Sequence, residues 1–182
     1  MSTRPYDREV DATWQWWNSL QPNEQTKQRG DRASLAKLRR ASSIMEAAAE
    51  PATIDLFRKL GFSSPGQNLP RVALIAAVLA HIRPPERKEN LARAIGTPRG
   101  GDGTTALITP LRLKRMIAAR EPDDLLIAFR RTIAMLDRSA NVSDVARQLL
   151  LWTDDQHADR ARTMFTFDYY DADKYAPDFK SN

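Results

Sequence analysis

The sequence predicts an all-α fold: two small helical bundles packed together, with about eight or nine helices and no sheet. Three observations carry this reading. Apolar residues recur at spacings of three and four along nearly the whole chain, no stretch alternates for long enough to form a strand, and no repeat of fixed period appears. Proline and glycine fall between the periodic stretches, where they start and stop helices.

Tyr6, Val10, Trp14 and Trp17 are spaced for one face of a first helix, which Leu20 closes and Pro22-Asn23 breaks. Trp16 points away from that face, where it is free to pack on a neighbouring chain. A second helix is expected over 31–49, with Leu35, Leu38 and Met45 on its core side and Arg29, Arg32, Arg39 and Arg40 opposite. Pro51 starts a helix through Leu60, stopped by Gly61. Residues 63–68 read as a loop, and Pro70 opens the most apolar helix, ended by Pro84-Pro85. A short basic helix follows from Arg87 to Ile95. Four of the seven glycines lie between 96 and 103, which marks 96–109 as a loop or linker between an N-terminal bundle (1–95) and a C-terminal bundle with an acidic tail (110–182). Pro110 and Pro122 each start a helix, the second with a stripe of Leu125, Leu126, Phe129, Ile133 and Leu136. Asn141 or Ser143 caps the next, and a last helix runs from Gln156 to Tyr170.

At 182 residues, with 42% hydrophobic and 28% charged residues, the composition is that of a folded protein. There is no cysteine, which excludes disulfides and Cys-ligated metal sites. The longest apolar run, Val72 to Ile82, is too short to span a bilayer, and the charged N-terminus lacks a signal peptide's apolar stretch. A cytoplasmic protein without membrane attachment is expected.

The net charge of +5 is unevenly spread. Residues 26–40 hold six cations (Lys27, Arg29, Arg32, Lys37, Arg39, Arg40) against Asp31. Residues 109–138 hold seven (Arg112, Lys114, Arg115, Arg120, Arg130, Arg131, Arg138) against four acids, whereas 139–182 is net acidic. Arginine predominates, and its planar fork suits phosphate. A polyanion is the natural partner. Arg112 and Arg115 share the side of their helix away from Leu113, Met116 and Ile117; Arg131 and Arg138, seven apart, lie opposite the Leu125–Phe129–Leu136 stripe. Spaced cations without base-reading side chains fit sequence-independent backbone contact.

Catalytic patterns are lacking. The two histidines, His81 at the end of an apolar helix and His157 in an acidic loop, have no metal-ligand spacing. Asp154-Asp155 reads as a helix stop and solvated turn rather than a two-metal site. The segment Gly100 to Thr105 lacks the Gly-Lys-Ser/Thr ending of a phosphate loop. The sequence thus reads as a non-enzyme with no cofactor, no metal and no small-molecule substrate.

The order of these features resembles the CasB family, the small subunit of the type I-E CRISPR Cascade complex. The resemblance runs from Trp14-Gln15-Trp16-Trp17-Asn18-Ser19-Leu20 through Gly30-Asp31-Arg32-Ala33, Leu38-Arg39-Arg40-Ala41 and the Ala-rich helix Val72–Ala80. It continues through Leu111 to Ile117, Phe129-Arg130-Arg131 and Asp144–Trp152, covering roughly residues 10 to 170. It implies two helical bundles with no catalytic site. It also implies partners: a second copy of the chain, the backbone and large subunits of Cascade, and the crRNA–DNA complex with its displaced single strand. Arg71, Arg112, Arg120 and Arg131 align best with the family's basic sites, with Arg39 and Arg40 in a shared motif. The full expected nucleic-acid set is Arg32, Arg39, Arg40, Arg71, Arg112, Lys114, Arg115, Arg120, Arg130, Arg131 and Arg138. Ala118 and Ala119 stand where the family carries charge, and Arg115 and Arg120 are placed to substitute. Two other readings stay open from the residues alone: a small helical DNA-binding regulator and a protein–protein adaptor.

Overall fold

The computed structural model describes residues 4–23, 27–98 and 105–172. Among them are ten helices and no strand, apart from two isolated bridges. The Gly100–Gly103 segment and the acidic tail beyond Ala172, both singled out in the sequence, lie outside the described residues.

Helix α5 (Pro65–Leu79) is the axis of the molecule. Every residue from Val72 to Ala80 is fully buried, because α2 (Arg32–Arg40), α3 (Ile44–Ala48), α4 (Pro51–Leu60), α8 (Pro122–Met135) and α9 (Val142–Trp152) all pack around it. Ala73, Ala76, Ala77 and Ala80 keep its girth small enough for neighbours on every side. The helix starts five residues earlier than expected, at Pro65, with Pro70 inside it. Pro70 lacks an N–H for the Gly66 carbonyl, but Gly66 is exposed and water can serve that oxygen.

Helix α1 (Asp7–Leu20) lies between α4 and α9. Its buried stripe is Val10, Thr13, Trp17 and Leu20, joined by Trp16. The expectation for Trp16 is corrected: it is 1% exposed, and its indole N–H donates to the Ala52 carbonyl at 3.0 Å. Trp14 instead sits at the rim, donating to Glu86 at 2.8 Å. Thr13 shifts the stripe, since its hydroxyl is satisfied by the Glu9 carbonyl at 2.7 Å and the side chain packs as an apolar one.

The helix expected over 31–49 is two helices. Asp31 caps α2 by accepting from the Ser34 N–H (2.9 Å), α2 ends at Arg40, and Ser43 caps α3 by accepting from the Glu46 N–H (3.2 Å). The break turns Met45 outward to 80% exposure and puts Ile44 and Ala47 in the core. Helix α6 (Leu91–Gly96) is shorter than expected because Asn90 caps it. α6 packs on α10 (Ala158–Tyr170) so closely that a Cβ on Gly96 would lie 2.2 Å from the Tyr169 carbonyl oxygen. Through these contacts the helices before and after 96–109 share one cluster of buried side chains.

Candidate nucleic-acid interface

Helices α7 (Pro110–Ala118) and α8 flank an open groove of about 910 Å³. Thr109 caps α7, Pro110 and Pro122 set the first turns, and Leu113 and Met116 anchor α7 in the core. That anchoring turns Arg112 and Arg115 to the groove from one side, and α8 brings Arg131 from the other. The floor is apolar, with Met116, Ala128 and Met135, and Asp124 is its one acid. Arg112, Arg115 and Arg131 are exposed, and none forms an ion pair among the described residues. Their charge faces solvent across an apolar floor, an arrangement open to a polyanion's backbone and to the flat faces of its bases.

The other cations of the expected set are placed differently. Lys114 is exposed but lies outside the groove lining. Arg120, just past α7, donates to the Ile117 carbonyl at 2.6 Å and meets Asp159 at 3.8 Å. Arg32 joins Lys27 and Arg29 around a separate hollow of about 710 Å³ beside α2. Arg40 is exposed at the last turn of α2.

Two arginines of the set are taken up inside the protein. Arg130 donates to the Ala41 carbonyl at 2.7 Å and to the Leu38 carbonyl at 2.9 Å, closing the C-terminal end of α2, and burial lowers its pKa. Arg71 donates to the Leu150 carbonyl and lies over the rings of Tyr6 (4.8 Å) and Phe62 (5.5 Å). Arg39 and Arg138 meet at a third place. The Arg39 Nε donates to the Ala80 carbonyl at 2.5 Å, and its pKa is lowered by burial, then by the nearby Arg83 and Arg138.

Sequence reasoning missed Arg83, whose only signal was its place between an apolar helix and Pro84-Pro85. It also missed the hub at Asp154, which accepts from the Tyr6 hydroxyl, from the Gln156 N–H (2.9 Å) and faces His157 Nδ1 at 2.8 Å. Buried Arg162 was missed as well; it donates to the Ala119 carbonyl at 3.0 Å and stacks on Trp152 at 4.8 Å. Among the described residues, no three His, Cys, Asp or Glu side chains gather as a metal site would require, and no helix is long and apolar enough to cross a membrane.

A family model, CRISPR-associated protein Cse2, matches residues 34–170. The chain belongs to the Cse2 family. Cse2, also called CasB, is the small subunit of type I-E Cascade, so the chain is a subunit of a CRISPR defence complex and associates with other Cascade subunits. The family is a structural, non-catalytic one. The match spans α2 to α10, apart from the first two residues of α2, and so includes the groove. Comparison with curated proteins and with solved structures gives no match.

Proposed function

We propose that this Cse2 subunit holds the displaced non-target DNA strand without reading its sequence, and thereby stabilises the R-loop in which guide RNA pairs with the target. The observation that carries the reading is the α7–α8 groove, where Arg112, Arg115 and Arg131 stand over an apolar floor with no ion pair among the described residues, Arg112 donating to the Met135 sulfur at 3.6 Å. Replacing a DNA duplex by an RNA–DNA duplex is nearly balanced, so a few phosphate contacts to the freed strand tip it. On this reading Arg120, Lys114, Arg40 and Arg32 extend the cationic surface, while Arg130 and Arg71 hold helices together. The subunit acts in the cytoplasm as one of two copies, against the backbone and large subunits, with its two bundles divided at 96–109.

The test is salt-titrated binding of single-stranded and duplex DNA to the assembled complex, with wild-type subunit and with Arg112→Gln/Arg131→Gln. Single-strand affinity falls in the variant, and its salt slope shrinks by about 1.4, at ~0.7 per lost phosphate contact. An unchanged slope in a folded, assembled variant refutes the assignment to the groove. A preference for one duplex sequence supports a regulator instead.

A further inference from the structure

Three arginines outside the groove converge where α2, α5 and α8 end. Arg39 is held by the Ala80 carbonyl at the end of α5. Arg83, three residues on, donates its backbone N–H to the Arg138 carbonyl at 2.8 Å. The turn carrying Arg138 is fixed from both sides. Arg87 Nε donates to the Ser139 carbonyl at 2.8 Å, and the Ser139 hydroxyl donates to the Pro85 carbonyl at 3.1 Å. Asp137 and Arg138 adopt left-handed backbone conformations (φ 55° and 63°), which residues other than glycine adopt rarely. The fold thus gathers like charges on two locked turns.

Arg39, Arg83 and Arg138 form no ion pair among the described residues. The nearest acid in sequence beyond the α5 end, Glu86, has both oxygens engaged by Trp14 and the Val142 N–H. His81 lies beneath, its Nε2 buried without a hydrogen-bond partner. Burial comes first among the causes that push its pKa down to about 4, followed by Arg130, Arg39 and Arg138, so the imidazole is neutral and contributes no repulsion of its own at pH 7.

We propose that Arg39, Arg83 and Arg138 form an oxyanion site for a phosphate group, separate from the α7–α8 groove and carried either by a nucleic-acid backbone or by free phosphate. A tetrahedral phosphate offers oxygens to guanidiniums arriving from three elements, whereas a carboxylate presents two oxygens in one plane and is satisfied by a single arginine. Helix α8 links the two places: it carries Arg131 and ends at Met135, three residues before Arg138 in the following turn. A strand leaving the groove is within reach of the site; that clause alone rests on the strand-holding reading.

The protein has two histidines, so His81 serves as an NMR reporter and His157 as its internal control. The ring titration is followed in free protein, with inorganic phosphate, and with a short oligothymidylate; the Arg39 Nε–H resonance is read in parallel at pH 6.5. Phosphate is expected to raise the His81 midpoint by about one pH unit, to leave His157 in place and to move the Arg39 signal. Arg138→Gln raises the midpoint without ligand, and both Arg138→Gln and Arg83→Gln weaken the response to phosphate at least tenfold. Response to both ligands in Arg112→Gln/Arg131→Gln shows a site independent of the groove with a nucleic-acid source; response to inorganic phosphate alone supports the site with free phosphate as its source. If phosphate moves neither His81 nor Arg39, the site is refuted, and oligothymidylate binding by anisotropy then tells whether strand holding stands without it. Response to an acidic peptide and not to phosphate refutes it in favour of a protein partner.

Discussion

Arg130 and Arg131 are neighbours in sequence with opposite predicted consequences. Arg130→Ala removes two charge-assisted hydrogen bonds to the Leu38 and Ala41 carbonyls, which close the end of α2. Hydrogen bonds from a charged donor contribute about 1.5–3 kcal/mol each. The lower figure applies here, because carbonyls at a helix end regain some water when the guanidinium leaves. The expected loss is therefore about 3 kcal/mol, a fall in Tm of about 6–12 °C for a chain of this size. Arg130→Lys keeps the charge but reaches one carbonyl, and loses about half as much. Arg131→Ala, on the exposed groove side of the same helix, changes stability by less than about 0.5 kcal/mol. The assay is thermal and urea unfolding followed by circular dichroism, with strand binding measured on the same preparations. Equal stability losses for Arg130→Ala and Arg131→Ala, or none for Arg130→Ala, would refute the division of labour between them.

Gly96→Ala is expected to destabilise by about 2 kcal/mol or more even though alanine is the better helix former, because the new methyl meets the Tyr169 backbone; unfolding midpoints give the sign directly. Asp154→Asn weakens the Tyr6 and His157 contacts and costs about 1–2 kcal/mol, with faster amide exchange confined to the start of α1 and the α9–α10 turn. The His81 pKa lies below its ordinary value of 6.5, so the unfolded chain takes up the proton first: stability is full above pH 6.5 and declines as pH falls towards about 4. Urea midpoints at pH 7, 5.5 and 4.5 follow this decline, and His81→Gln removes its share of it.

Much of the fold was legible because its signals are local. Pro51, Pro110 and Pro122 at first turns, Gly61 at a stop and the Asn141 cap each act within a few residues, and the apolar stripe of α8 is uninterrupted. What escaped depended on distant partners. Trp16 is in the core because α4 comes to lie against α1, and no spacing within α1 says so. The break between α2 and α3 was written in Ser43 and Glu46, but the apolar spacing continued across it and hid the cap. The arginines show the same limit. A helical wheel turns Arg112, Arg115 and Arg131 outward, and they are outward; it assigns Arg39 to the same class, and the family resemblance adds Arg71, although helix-end carbonyls and aromatic rings on other elements claim them.

The three arginines held at the ends of α2, α5 and α8 repel one another in the free subunit, and dissolved ions relieve that repulsion. Added salt therefore acts on this protein in two opposed directions. It firms the isolated subunit and, on the strand-holding proposal, loosens its hold on DNA. If the cluster holds phosphate as proposed, a strand bound there takes the place of the salt and stabilises the folded subunit by mass action.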